Sequence, residues 1–85
     1  MNDQAPAFSE MVIKNLDELE FAVFCIENLA IKLGVMAPQV YRALTESSSI
    51  LKTYIVPRYE VLHTQSKEYI MDDILDVLKE AGVSI

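Results

Sequence analysis

Cys25 and His63 are the residue types from which a nucleophile and a general base are built, and the chain has one of each. A catalytic pair of this kind also needs a group that orients the base and donors for a developing oxyanion. Cys25 lies between Phe24 and Ile26 in an apolar run, where a thiol is expected to be buried and inert. His63 precedes the last predicted helix, where a histidine more often closes a turn by hydrogen bonding. We therefore predict no enzymatic activity.

Patterns that bind metals or cofactors are also missing from the sequence. One histidine, one cysteine and scattered carboxylates do not have the ligand spacing of a zinc or calcium site. Two glycines are too few and too far apart for a phosphate-binding loop. The sequence predicts no metal and no cofactor.

The stretch 28–44 has the outline of a helix-turn-helix hairpin. Gly34 is expected to end the first helix, because glycine adopts a left-handed conformation without a Cβ clash. Pro38 suits the first turn of the second helix, where its missing N–H does no harm. The small Ala30 would let the second helix approach, and Val40 would fill the core of the hairpin.

A hairpin of this kind could read DNA with its second helix, using Gln39, Tyr41, Arg42 and Thr45. Contacts to phosphate dominate DNA affinity and need lysine or arginine. Arg42 is the one cation of that helix, and the chain has 13 acidic against 7 basic residues. The acidic balance disfavours nucleic acid and anionic membranes as partners. A DNA-binding transcriptional regulator is therefore the alternative hypothesis.

Length and composition indicate a small cytoplasmic domain. A chain of 85 residues forms one domain, and an apolar content of 52% is high for that size. Some apolar side chains are therefore expected to face another protein or a second copy. A single cysteine excludes an internal disulfide and suits a reducing compartment. The first ten residues do not resemble a secretion signal, and the longest apolar run, six residues, is far short of the roughly 20 that span a membrane.

Apolar spacing predicts an all-α fold, a compact bundle of four or five helices in which the two long helices pack together. Residues 1–10 are expected to form a flexible arm, with Ser9 as a candidate cap, and residues 11–85 a single helical domain. The first long helix should begin at Glu10 or Leu16 and end at Leu33. Phe21, Phe24 and Ile31 are expected on the side of this helix opposite its main stripe. That stripe, at three- and four-residue steps, consists of Leu16, Leu19, Val23, Ile26, Ala30 and Leu33, and Ala22, Cys25 and Leu29 are expected to widen it.

The second half of the chain is expected to form two short helical segments and one long helix. The serines at 47–49 offer a cap for a segment over 50–54, and Pro57 should end it. A further turn is expected over 59–63, with a strand over 54–56 as the alternative. Ser66 should cap the last helix and Gly82 should end it. Its buried face is predicted to be Ile70, Met71, Ile74, Leu75, Val77, Leu78 and Ala81.

Two features of the second half suggest a protein partner. The last helix carries acidic residues on one face, ending at Glu80, which would steer a basic partner or simply be solvated. Three tyrosines flank Pro57, and tyrosine is found both in protein cores and at the centres of interfaces. The candidate partner-binding residues are Tyr54, Tyr59, His63, Tyr69, Asp72, Asp73 and Asp76.

Three stretches of the chain, 20–27, 54–64 and 67–74, carry a family resemblance. Together they make residues 16–82 resemble a small bacterial family, the domain of unknown function DUF3791. Ser49 and Ser66 stand where many members have glycine, so these two turns are expected to be capped differently here. The resemblance implies a short cytoplasmic protein that is often encoded beside a protein resembling an ADP-ribosyltransferase. It also implies a toxin–antitoxin-like pair, in which this chain is the neutralising or accessory partner.

These observations favour a non-catalytic protein-interaction module. An ADP-ribosyltransferase-like toxin is the partner that the family resemblance implies. A homo-oligomer formed through Phe21, Phe24 and Ile31 is the competing explanation for the high apolar content.

Overall fold

The computed structural model describes residues 15–85, and these fold into four α-helices and one short π-helix. The predicted all-α fold is confirmed: residues 15–85 contain no strand, and the segment 54–56 is helix and turn. The predicted arm over 1–10 and the candidate cap Ser9 lie outside the described residues. The helices are α1 (Leu16–Leu33), α2 (Ala37–Thr45), the π-helix (Leu51–Ile55), α3 (Tyr59–Leu62) and α4 (Lys67–Glu80).

Both ends of α1 are set by local sequence signals. Asn15 caps the first turn, because its Oδ1 accepts a hydrogen bond from the Glu18 N–H at 2.9 Å. The acidic Asp17 and Glu18 in that turn also interact favourably with the helix dipole. The helix ends at Gly34, as predicted, with φ at 70°. Any residue with a Cβ would be strained by about 1–2 kcal/mol there.

The hairpin formed by α1 and α2 matches its prediction. Pro38 lies in the first turn of α2, and the Gln39 side chain accepts the Met36 N–H at 2.9 Å. Ala30 and Val40 are both buried in the core. The small alanine and the valine thus pack α2 against the end of α1.

A π-helix connects the hairpin to the second half of the chain. The Ser48 hydroxyl starts this segment by accepting the Ile50 N–H at 3.3 Å. Inside it, the Val56 N–H donates to the Leu51 carbonyl at 3.0 Å, one residue further along than in an α-helix. Pro57 has no N–H to donate, so the helical segment ends there, as predicted.

The last long helix, α4, is capped as its sequence predicts. The Ser66 hydroxyl accepts the Tyr69 N–H at 3.1 Å. After the helix, Gly82 adopts a φ of 74° and turns the chain. The buried side chains of α4 are Ile70, Met71, Ile74 and Leu78, whereas Leu75 and Val77 are half-buried. Ala81, predicted to be buried, is exposed because it lies beyond the last helical turn.

The core of α1 is rotated from the predicted stripe towards the residues expected to widen it. Its centre is Ala22, Cys25 and Leu29, each 0% exposed. Phe21, expected on the opposite side, is buried as well. Leu19, a member of the predicted stripe, is only half-buried. Three members of that stripe are wrongly assigned to the core, since Leu16, Val23 and Leu33 are 65%, 41% and 38% exposed.

The charged residues of α1 explain this rotation. Glu20 and Glu27 are seven residues apart, lie on one face and are both exposed. Burying an unpaired carboxylate costs far more than exposing a valine, so this face turns to solvent and takes Val23 with it. Of the four stripe residues predicted to share one core with α4, Ile26 and Ala30 lie in one buried cluster with Ile70, Ile74 and Leu78, whereas the exposed Val23 and Leu33 do not.

Candidate protein-binding surface

The outward face of α1 carries three exposed aliphatic side chains, Leu16, Val23 and Ile31. Steps of seven and eight residues place them on one side of a helix. Ile31 is the most exposed of them, at 78%. A single exposed aliphatic residue is ordinary, but here three lie along one side of a helix, interspersed with the exposed Glu20 and Glu27. We call Leu16, Val23 and Ile31 the outer strip.

An open groove lies beside the outer strip, between α1 and α3. Its volume is about 340 Å³. We call it the aromatic groove, and its lining residues are Asp17, Glu20, Phe21, Phe24, Tyr59 and His63.

The rings of the aromatic groove pack against one another. Phe21 and Phe24 are stacked with centroids 6.3 Å apart. Phe21 meets Tyr59 edge to face at 5.4 Å, and His63 stacks on Tyr59 at 4.4 Å with the planes 13° apart. Phe21 is buried, whereas Phe24 and Tyr59 are half-buried and His63 is exposed. The groove therefore has the buried Phe21 ring at its base, and parts of the other three rings are exposed to solvent.

The charge at the rim of the aromatic groove is negative. Asp17 and Glu20 are exposed, and neither carboxylate pairs with a cation among residues 15–85. Desolvation raises the pKa of Tyr59, and the nearby charges of Asp17, Glu60, Glu20 and Glu18 raise that pKa further. Several carboxylates thus act on the same hydroxyl group.

A smaller indentation continues along the same side of α1 towards the start of α4. On its lining, the Asn28 side chain donates to the Phe24 carbonyl one helical turn earlier, at 2.8 Å. Its two lysines make this end less acidic than the aromatic groove. The lining residues are Asn28, Ile31, Lys32, Lys67, Glu68 and Met71.

Tyr54 and Asp73, two of the predicted partner-binding residues, contact each other. The Tyr54 hydroxyl donates to Oδ2 of Asp73 at 2.6 Å, and the Arg58 guanidinium lies over the Tyr54 ring at 5.1 Å. Desolvation and then this hydrogen bond raise the pKa of Tyr54. The contact ties the π-helix to α4. Asp73 is thus half-buried and hydrogen-bonded within the domain, whereas its role in partner binding stays a prediction.

The other predicted partner-binding residues lie in different places. Tyr59 and His63 are in the aromatic groove, whereas Tyr69 is exposed on α4. Asp72 forms an exposed ion pair with Lys32, with Nζ and Oδ1 3.7 Å apart. Asp76 is exposed. The tyrosines around Pro57 thus do not form one cluster, since Tyr54 contacts α4 and Tyr59 contacts α1.

Sequence reasoning missed the contribution of α1 to the aromatic groove. Asp17, Glu20, Phe21 and Phe24 follow one another at helical spacing along one flank, which was the available signal. Their use as a site depends on α3 bringing Tyr59 beside them, and no local pattern predicts that contact.

The side chains proposed for the alternative DNA function are partly engaged within the domain. Gln39 caps α2, and the Thr45 hydroxyl donates to the Tyr41 carbonyl at 2.7 Å. Tyr41 is half-buried against the core, and Arg42 is exposed. DNA binding through this helix stays the untested alternative hypothesis, and the exposed Arg42 is the cation that supports it.

The two residues considered for catalysis differ in their surroundings. Cys25 is fully buried, and burial raises the pKa of its thiol from 9.0 to about 12. A protonated thiol is a poor nucleophile. His63 is exposed and stacks on Tyr59.

Two further properties concern the described residues alone. Within 15–85, the histidine, cysteine and acidic side chains form no group of three or more arranged to hold a metal ion. In the same range, no helix combines the length and the apolar character needed to cross a bilayer.

These features define a small all-α domain whose longest helix supplies the core with one face and carries three exposed aliphatic residues on the other. The chain belongs to DUF3791, a family described as protein of unknown function, whose model matches residues 20–81. The matched range begins at Glu20 in the aromatic groove and continues beyond the end of α4. Comparison with curated proteins and with solved structures found no match.

Proposed function

We propose that this protein is a non-catalytic interaction module that binds another protein through the outer strip and the adjoining aromatic groove. The observation that carries the proposal is the set of exposed aliphatic residues on the outer face of α1. Its inner face supplies the core, while Leu16, Val23 and Ile31 on its outer face remain exposed within the described chain. Exposed aliphatic residues that share one side of a helix with charged residues are typical of a protein-interaction surface.

The apolar area of the outer strip is too small for an interface, so we expect the binding surface to extend beyond it. Burying a leucine, isoleucine or valine side chain contributes about 1.5–3 kcal/mol. Ile31 is 78% exposed, so covering it with a partner would still gain most of this free energy. A stable interface buries roughly 1,000 Å² or more in total, which three side chains do not supply. The aromatic groove on one flank and the indentation near Met71 extend the surface along α1.

The proposed partner is an ADP-ribosyltransferase-like protein encoded beside this chain, acting with it in the cytoplasm as a toxin–antitoxin-like pair. The family resemblance is what suggests this partner. The net charge of −6 suits it if the partner surface is basic, because opposite charges speed association. In this pair the chain would act by covering its partner, without chemistry of its own.

The proposal is tested by the affinity of the full chain for this neighbouring protein, measured by calorimetry. Ile31→Asp places a charge in the outer strip and should weaken binding by tenfold or more. Met36→Asp is the matched control, because Met36 is also apolar and 70% exposed but lies at the start of α2. The affinity of the Met36→Asp variant should stay within twofold of that of the unmodified chain. Both variants should keep the native far-ultraviolet circular dichroism.

Self-association is a competing use of the outer strip, and sedimentation measures it directly. In one outcome, the unmodified chain forms dimers that Ile31→Asp abolishes and fails to bind the neighbouring protein. That result would show that the outer strip binds a second copy of the chain and not the proposed partner. A monomer that binds no protein would refute the proposed function.

A further inference from the structure

We infer that the aromatic groove is a binding site for an arginine side chain presented by the partner protein. This inference rests on the proposed function, because the groove adjoins the outer strip and would receive part of the same partner. It assigns a specific chemistry to one end of that surface.

The ring surfaces of the groove suit a guanidinium group. Phe24 and Tyr59 are half-buried and His63 is exposed, so each ring is accessible from solvent on at least part of its surface. Guanidinium is planar and weakly hydrated, and it stacks on aromatic faces as well as interacting with their π-electrons. An ammonium group is compact and strongly hydrated, so lysine would gain less from the same rings.

The rim of the groove supplies the opposite charge. Asp17 and Glu20 stand three residues apart on the same flank of α1, and both line the groove. Within residues 15–85 neither carboxylate has a cation to pair with. Arginine pairs with carboxylates through two parallel N–H donors, so one arginine could stack on a ring and reach a rim carboxylate at once.

The groove is organised before any ligand arrives. Tyr59 is held edge-on by the buried Phe21 and is stacked on its other side by His63. The backbone N–H of His63 donates to the backbone carbonyl of Tyr59 at 3.0 Å, which places the two residues one helical turn apart. On the facing wall, the Asn15 cap holds the first turn of α1, where Asp17 lies. Little ordering is then required on binding, which favours affinity.

The experiment is an NMR titration of the isotope-labelled full chain with N-acetyl-arginine amide as the probe. N-acetyl-citrulline amide is the matched neutral control, because it has nearly the same shape without the charge. The ring signals of Phe24, Tyr59 and His63 should shift and saturate with arginine. Citrulline should bind at least about threefold more weakly, since its charge-dependent stacking is lost. N-acetyl-lysine amide should also bind more weakly than arginine.

Two glutamate variants test the role of the rim. Glu20→Gln should weaken arginine binding about two- to fivefold, the size of an exposed charge pair, and should leave citrulline binding unchanged. Glu27→Gln is the matched control, because Glu27 is exposed on the same helix but does not line the groove. It should leave both probes unaffected. An equal response to arginine and citrulline, a stronger response to lysine, or equal effects of the two variants would overturn the assignment.

Failure of this inference is distinguishable from failure of the proposed function. Protein binding that is lost in Ile31→Asp, with no arginine response in the groove, would keep the function and reject the arginine site. Arginine binding that depends on Glu20, in a chain that binds no protein, would support the groove and reject the function.

Discussion

Leu29 and Leu33 are the same residue type one helical turn apart on α1, and their expected contributions to stability differ sharply. Apolar spacing alone assigns Leu33 to the main buried stripe. In the structure Leu29 is fully buried and Leu33 is 38% exposed. Replacing each leucine with alanine removes the same atoms from the same helix. The pair therefore isolates the effect of burial.

The magnitude follows from the two environments. A fully buried leucine changed to alanine loses transfer free energy and leaves a cavity, which costs about 2.7–5 kcal/mol. Leu33 lies beside the chain end at Gly82–Ile85, where neighbours can relax and part of the side chain already meets water. We expect Leu33→Ala to cost about 1 kcal/mol. A domain of this size has roughly 4–13 kcal/mol of total stability, so Leu29→Ala alone should remove a large share.

Urea unfolding followed by far-ultraviolet circular dichroism measures both variants, and it needs no tryptophan. The midpoint should fall far more for Leu29→Ala than for Leu33→Ala, with an unchanged slope. In thermal unfolding each kcal/mol lost should lower the midpoint by about 4–8 °C. A Leu33→Ala variant that is destabilised as much as Leu29→Ala would refute the rotation of α1 and restore the predicted stripe.

Three further predictions concern single groups. Burial raises the pKa of the Cys25 thiol to about 12, so at alkaline pH the folded chain keeps a proton that the unfolded chain loses. The free energy of unfolding is therefore unchanged by this group below about pH 9 and is about 1.4 kcal/mol lower by pH 10. Urea unfolding at pH 8 and pH 10 should show a smaller alkaline loss for Cys25→Ala than for the unmodified chain. Tyr54→Phe removes the hydrogen bond to Asp73 and should cost about 1 kcal/mol in urea unfolding, whereas the exposed Tyr69→Phe should cost almost nothing. A gel-shift assay near physiological salt should show weak or no specific duplex binding, and nanomolar binding lost in Arg42→Ala would promote the DNA hypothesis.

Helix ends were predictable from sequence because the relevant forces are local. The caps at Ser66 and Gly34 and the break at Pro57 depend on the conformational preferences of single residues and on hydrogen bonds a few positions away. The hairpin packing of Ala30 and Val40 was predictable for a similar reason, since both residues lie within one short stretch of chain.

The face of α1 and the aromatic groove depend on contacts between distant segments. Two overlapping apolar stripes of α1 fit a helical period. The exposed Glu20 and Glu27 favour the one centred on Cys25, and packing against the rest of the chain completes that selection. The pairing of Tyr59 with Phe21 joins α3 to α1, and the hydrogen bond from Tyr54 to Asp73 joins the π-helix to α4. Each of these side chains has several plausible partners in the sequence, and tertiary packing decides among them.

The most direct test of the central claim is NMR mapping of the isotope-labelled chain in the presence of the proposed partner, an ADP-ribosyltransferase-like protein. Our account predicts shifts centred on the methyl groups of Val23 and Ile31 and on the ring of Tyr59. Shifts centred on Arg42 in α2 or on Asp76 in α4, with the outer strip unaffected, would contradict it. So would the absence of any shift at saturating concentrations of that protein.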